Sequence, residues 1–137
     1  MTVVDTGLAA EFAAIYAYSE ATVHLDGEPR ELAESLESEH RDRRDALLDY
    51  YDAHGLESTP AEPGYSLERV TEADEVEALL LDVETRVATT WRAGLASDDP
   101  DEREICLNMY TDSAKALARW KIAIGQSYAD PWPGRPV

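Results

Sequence analysis

The run Leu56-Glu-Ser-Thr-Pro60-Ala-Glu-Pro-Gly-Tyr65-Ser-Leu-Glu-Arg-Val70 holds two prolines and a glycine and shows no apolar periodicity. It reads as extended chain. On both sides of it, apolar residues recur at three- and four-residue spacing, the pattern of a helix with one buried face. Upstream, Leu32, Leu36, His40, Leu47 and Tyr50 form one stripe, which closes at His54-Gly55. Downstream, Val76, Leu79, Leu80, Val83, Val87 and Trp91 form another over residues 72–96, with Thr71 and Asp74 as its N-cap pair.

Two further helices lie outside these. The first covers residues 6–25 on Leu8, Ile15, Tyr18, Thr22 and Leu25, and Asp26-Gly27 stops it. Pro29 suits the first turn of the second helix. The fourth opens at Asp99-Pro100-Asp101-Glu102, where Asp99 caps, Pro100 takes the first helical position and Glu102 reaches back. It carries Ile105, Met109, Ala116, Trp120 and Ile124 and ends near Gly125. Residues 126–137 contain three prolines and cannot be helical throughout. Trp132 is expected to pin this tail to the rest.

The connections then choose a topology. A turn of about three residues forces helices one and two to be antiparallel neighbours. The linker of about 15 residues between helices two and three is longer than neighbours need. At about 3.3 Å per residue it spans about 50 Å, whereas a helix of about 26 residues is about 39 Å long. It can return the chain to the starting end. The expected fold is all-α: a four-helix bundle with one long crossover between helices 2 and 3, the ferritin-like arrangement. An up-down-up-down bundle is the alternative. Residues 1–125 form the bundle and 126–137 a proline-rich C-terminal tail.

Composition narrows the function. The chain has 137 residues and a net charge of −17. That excludes nucleic-acid binding through a basic face and argues against an anionic membrane surface. At 44% apolar residues, it is not an acidic disordered tail. Cys106 is the single cysteine, so no internal disulfide can form. The first five residues lack a basic leader pattern, and no run of about 18 apolar residues occurs. A cytoplasmic location is expected.

Counting heptads places polar residues inside the bundle. Glu11 falls between Leu8 and Ile15; His40 and Arg43 fall between Leu36 and Leu47, with Glu37 one turn before His40. Glu84 falls between Leu80 and Val87, and Asp112 between Met109 and Ala116, with Lys115 one turn on. A buried ion costs several kcal/mol unless it is paired. These carboxylates need metal ions, Arg and Lys side chains, or protons. Glu37-x-x-His40 puts two ligands on one helix face, as di-iron bundles do. Glu11, Glu37, His40, Glu84 and Asp112 are therefore the metal candidates, with iron or manganese as the ion. Lys115 breaks the pattern, because a protonated lysine repels a cation. Arg43 and Lys115 are the candidates for a structural ion-pair network instead. Counted from Gly27, Glu11 and Arg43 are each 16 residues away and so level, whereas Glu37 sits roughly 9 Å from Glu11's level.

The runs Ala10-Glu-Phe-Ala-Ala-Ile-Tyr-Ala-Tyr18, Glu39-His-Arg-Asp-Arg-Arg-Asp-Ala46 and Ala116-Leu-Ala-Arg-Trp-Lys121 resemble a family of small bacterial ferritin-like domains of unknown function, over about residues 7–124. The resemblance implies a ferritin-like four-helix bundle, a homodimer, and an incomplete di-iron ligand set. No nucleophile–base pair and no phosphate-cradling glycine loop is visible, so no catalytic or cofactor-binding residue is expected. The expectation is a binding or interaction module without a working di-iron site, with no cofactor, and not an enzyme. The alternative is a metal-dependent oxidase or iron-handling protein with a degenerate carboxylate/His site.

Overall fold

The computed structural model describes residues 2–136; Met1 and Val137, the outermost residues of the expected bundle and tail, lie outside the described residues. Four helices follow in order: α1 (Val3–Ala21), α2 (Gly27–Ala53), α3 (Ala73–Ala93) and α4 (Pro100–Ala123). Short 3-10 turns, Thr22–His24 and Gly94–Ala96, extend α1 and α3. There is no strand among the described residues, and none of these helices is long and apolar enough to cross a membrane.

Local chemistry sets the helix ends. α1 starts earlier than the apolar pattern predicts because Thr2 and Asp5 form a capping box. The Asp5 amide donates to Thr2 Oγ1 (3.2 Å) and the Thr2 amide donates to Asp5 Oδ2 (2.9 Å). Gly27, at φ +62°, turns the chain between α1 and α2 without a Cβ clash. Asp99 Oδ1 caps α4 by accepting from the amides of Asp101 and Glu102. Glu102 does not reach back as expected; its carboxylate accepts from Ser97 Oγ at 2.8 Å. The Thr71–Asp74 cap does not form either. α3 begins after Glu72 with no side-chain cap, and Asp74 accepts from the next amide, Glu75.

Contacts between helices give their directions. Asp5 meets Tyr51 and Glu11 meets Arg43, so α1 and α2 are antiparallel. Glu11 meets Trp91 and Tyr18 meets Glu84, so α1 and α3 are antiparallel. Arg43 meets Ser113 and Arg119 meets Glu39, so α2 and α4 are antiparallel. The order is up, down, down, up, and residues 54–72 carry the chain the length of the bundle between two parallel helices. Along the way Leu67 and Val70 pack on the core and Tyr65 tilts against Tyr16, ring centroids 5.6 Å apart.

The apolar core is split in two. Tyr18, Leu25, Leu36, Val76, Leu80 and Trp120 fill one end. Val4, Leu8, Leu47, Tyr51, Val87, Trp91 and Cys106 fill the other. Three positions differ from the sequence expectation. Tyr51 rather than Tyr50 is buried on α2. On α4 the buried stripe is Cys106, Ser113, Ala116, Leu117 and Trp120, one residue out of phase with Ile105, Met109 and Asp112. The tail docks through Pro133 and Gly134, not Trp132, which is 57% exposed. Thr89 Oγ1 donates to the Gly134 carbonyl at 2.8 Å, and Tyr110 donates to that of Pro133.

Gly7 lets the Trp91 ring of α3 lie directly against α1. A Cβ there would come within 2.1 Å of the Trp91 ring, which is fully buried. Gly7→Ala gains about 1 kcal/mol of helix propensity but overpacks a rigid indole at a cost of about 1–3 kcal/mol. Urea unfolding of Gly7→Ala is expected to show a lower midpoint at unchanged slope; a raised midpoint would mean that Trp91 is free to move.

Candidate functional site

Between the two apolar clusters lies a layer of buried polar groups to which every helix contributes. α1 supplies Glu11 and Tyr18, α2 His40 and Arg43, α3 Glu84 and Trp91, and α4 Ser113 and Trp120. On α1, α3 and α4 the two members are seven residues apart, so each pair shares a helix face two turns apart. On α2 the spacing is three, with the same consequence.

His40 sits at the centre, almost wholly buried. Its Nδ1 is 2.5 Å from Glu11 Oε2 and its Nε2 is 2.7 Å from Glu84 Oε1. Each ring nitrogen faces a carboxylate oxygen, so both carry a proton and the ring is an imidazolium. Burial alone would depress its pKa, but the charges of Glu84 and Glu11 and their hydrogen bonds outweigh this and raise it from the ordinary 6.5 to about 9.

Glu11 accepts more bonds than any other group in the layer. Besides His40, its Oε1 takes Arg43 Nε at 3.0 Å, Arg43 Nη2, and Trp91 Nε1 at 2.9 Å. Burial pushes its pKa up, yet the His40 and Arg43 charges and the donated hydrogen bonds hold it below its ordinary value. Arg43 Nη2 also donates to Ser113 Oγ at 2.8 Å. Tyr18 donates to Glu84 Oε1 at 2.7 Å and accepts from Trp120 Nε1 at 2.8 Å. Burial and the Glu84 charge push the Tyr18 phenol well above its ordinary pKa, so it stays a donor. Two carboxylates face one imidazolium and one guanidinium, and the layer is neutral. One buried oxygen, Glu84 Oε2, has no partner.

The metal candidates divide. Glu11, His40 and Glu84 meet in the layer. Glu37 instead pairs on the surface with Arg41 at 3.1 Å, and Asp112 is exposed because α4 is rotated to present Ser113. Of the two ion-pair candidates, Arg43 lies on Glu11, whereas Lys115 is exposed and forms no ion pair among the described residues. Among the described residues no group of three or more His, Cys, Asp or Glu side chains is placed to hold a metal ion. Both ring nitrogens of His40 are taken up by carboxylate oxygens. Arg43 covers the Glu11 oxygen that His40 leaves open. These residues do not fit a dinuclear metal centre. Cys106 is buried, and burial with nearby Glu102 pushes its thiol pKa up, away from a reactive thiolate.

Tyr18, Trp91, Trp120 and Ser113 are missing from the sequence-based candidates, although the first three are recognised there as inward apolar positions. The seven-residue offsets of Tyr18 from Glu11 and of Trp91 from Glu84 are a signal that these rings share the carboxylates' helix faces; no such signal marks Ser113 and its neighbour on α4, Trp120.

Residues 3–137 match the family described as Domain of unknown function (DUF4439). The chain belongs to that family. It is also similar to a crystal structure described as that of a conserved hypothetical protein, rv2844, from Mycobacterium tuberculosis. The two are 28% identical, with 98% of this chain and 93% of that chain covered and a TM-score of 0.81. No match is found among curated proteins. Neither description brings an activity with it.

Two predictions follow from the geometry of this DUF4439 domain. Arg43→Ala leaves Glu11 with one fewer buried counter-charge and should cost about 3–5 kcal/mol in urea unfolding. Arg119→Ala, which removes the exposed pair with Glu39, should cost under about 1 kcal/mol. Equal losses would mean that the buried layer has no special role in stability. The second concerns pH. The folded pKa of His40 is raised, so its stabilisation is fully present below the unfolded value of about 6.5 and is lost as pH rises through about 9. Thermal unfolding from pH 6 to pH 10 should show a decline on the order of 3 kcal/mol over that window; most of it should be lost in His40→Gln, leaving the smaller alkaline decline from the buried Cys106 thiol.

Proposed function

We propose that this domain is a ferritin-like, non-enzymatic protein in which an ion-pair network takes the place of a dinuclear metal centre. It acts in the cytoplasm as a binding or interaction module and as a homodimer, without nucleic-acid or membrane partners. The observation that carries the reading is that both nitrogens of His40 are committed to the carboxylates Glu11 and Glu84, with Arg43 on Glu11. The up-down-down-up order with one crossover supports the ferritin-like assignment. Homodimer formation is supported by exposed Leu107 and Ile122 on α4 and Tyr128 and Trp132 just after it.

A second reading, a metal-dependent oxidase or iron-handling protein, is favoured by one observation: Glu84 Oε2 is buried without a partner. Metal content separates the two. Untagged protein grown with iron and manganese is expected to carry well under one ion per chain by elemental mass spectrometry, before and after reconstitution. One or two ions per chain, lost in His40→Ala, would establish the second reading instead. Light scattering should give a mass twice the chain's 15.2 kDa; a mass of one chain would remove the homodimer.

A further inference from the structure

Two cavities open beneath the crossover and meet at the Tyr16–Tyr65 pair, which lines both. The smaller, about 220 Å³, has an apolar floor of Ala10, Ala13 and Ala17 from α1 with Val83 and Val87 from α3. The larger, about 440 Å³, continues toward the end of α1 and is walled by Glu20, His24, Glu68 and Arg69. The larger volume is in the range of small-molecule sites, about 300–1,000 Å³, and the smaller adjoins it. The strap over them is lightly held. Residues 57–71 make no backbone–backbone hydrogen bond among the described residues, and the Glu62 amide donates to the Tyr65 hydroxyl at 2.9 Å.

The chemistry of the trough selects a ligand. The two half-buried tyrosine rings, tilted by 58° with centroids 5.6 Å apart, form an aromatic corner that lines both cavities. Tyrosine π-faces attract a cation within about 6 Å. Glu20 lies one helical turn beyond Tyr16 on the same face of α1. Glu20, Glu68 and Arg69 form no ion pair with one another or elsewhere among the described residues. Arg86 also lines the smaller cavity, but it is paired with Asp82, so the unpaired charges of the trough are the two carboxylates and the Arg69 guanidinium. The field of a chain carrying −17 adds to the attraction for a positive ligand.

We infer that the trough under the crossover binds a small organic cation: an ammonium group held between the Tyr16–Tyr65 corner and the Glu20 and Glu68 carboxylates, with an apolar body on the alanine floor. This goes beyond the reading of the buried layer and does not depend on it, because the trough and the layer share no residue.

Calorimetric titration of the full chain tests it, with octyltrimethylammonium below its micelle concentration and octanoate as an anion with a similar apolar tail. The cation should bind at least about tenfold more tightly than octanoate, a difference of about 1.4 kcal/mol. Tyr65→Ala and the double variant Glu20→Gln/Glu68→Gln should each weaken it, the double variant by about tenfold. Ala13→Phe fills the floor without changing surface charge and should abolish the binding. All the altered side chains but Ala13 are on the strap or the surface, so retained thermal unfolding midpoints identify the losses as local. Absence of binding, equal affinity for octanoate, or undiminished binding in folded Ala13→Phe would each overturn the inference.

Discussion

The proton that makes His40 an imidazolium holds the centre of this bundle together. Glu11 and Glu84 approach it from opposite helices, and each is cut off from water. Without the charge on His40, Arg43 would be the single cation for two buried carboxylates, and one of the two would lose its hydrogen bond from the ring. An uncompensated buried charge costs several kcal/mol, a large share of the 5–15 kcal/mol that holds a typical domain together. The side-chain link from α2 to α1 and α3 through His40 therefore depends on a proton that an isolated histidine would mostly lose at neutral pH.

The same layer sets the register of the helices. α1 and α3 run antiparallel and exchange donors: Trp91 of α3 serves Glu11 of α1, and Tyr18 of α1 serves Glu84 of α3. Sliding one helix past the other by a turn would break both bonds and leave polar groups unpaired in the core, at about 1–3 kcal/mol each. Apolar side chains alone tolerate such slips far better. Gly7 reinforces the register from the side of shape, because the indole of Trp91 can lie against α1 where a Cβ is absent. Polar pairing and close packing thus specify one arrangement from two independent directions.

Much of this is legible in the sequence, and the reasons for the rest are physical. Heptad counting puts Glu11, His40, Arg43 and Glu84 inside because Leu8, Ile15, Leu36, Leu47, Leu80 and Val87 fix the phase of α1, α2 and α3 unambiguously. On α4 the apolar residues are spread around the helix. Ile105, Leu107, Met109 and Ile122 compete with Cys106, Leu117 and Trp120 for the inward face, and a rotation by one residue exchanges Asp112 for Ser113. Burying Ser113 beside Arg43 satisfies the guanidinium, whereas the sequence pattern alone carries no information about that partner. Glu37 shows the limit of motif spacing. Its place one turn from His40 puts it on the right side of α2, but Arg41, four residues on, offers a solvated pair at no desolvation cost. The crossover was readable from loop length against helix length. The docking of the tail was not, because it rests on Gly134, whose positive φ and missing Cβ let the backbone approach Ala88 and Thr89 where a tryptophan would suggest itself as the anchor.

The distribution of charge completes the picture. A chain of net charge −17 folds around a centre that is neutral, so the self-repulsion is carried almost wholly by the surface, where water and salt screen it. In a carboxylate bundle built around metal, the counter-charge arrives from solution and folding is linked to metal supply. Here the guanidinium of Arg43 comes with the chain, and the second positive charge is a proton that water provides at any physiological pH. The balance is complete as soon as the helices meet. The condition it imposes is alkaline: the centre stays closed as long as His40 keeps its proton.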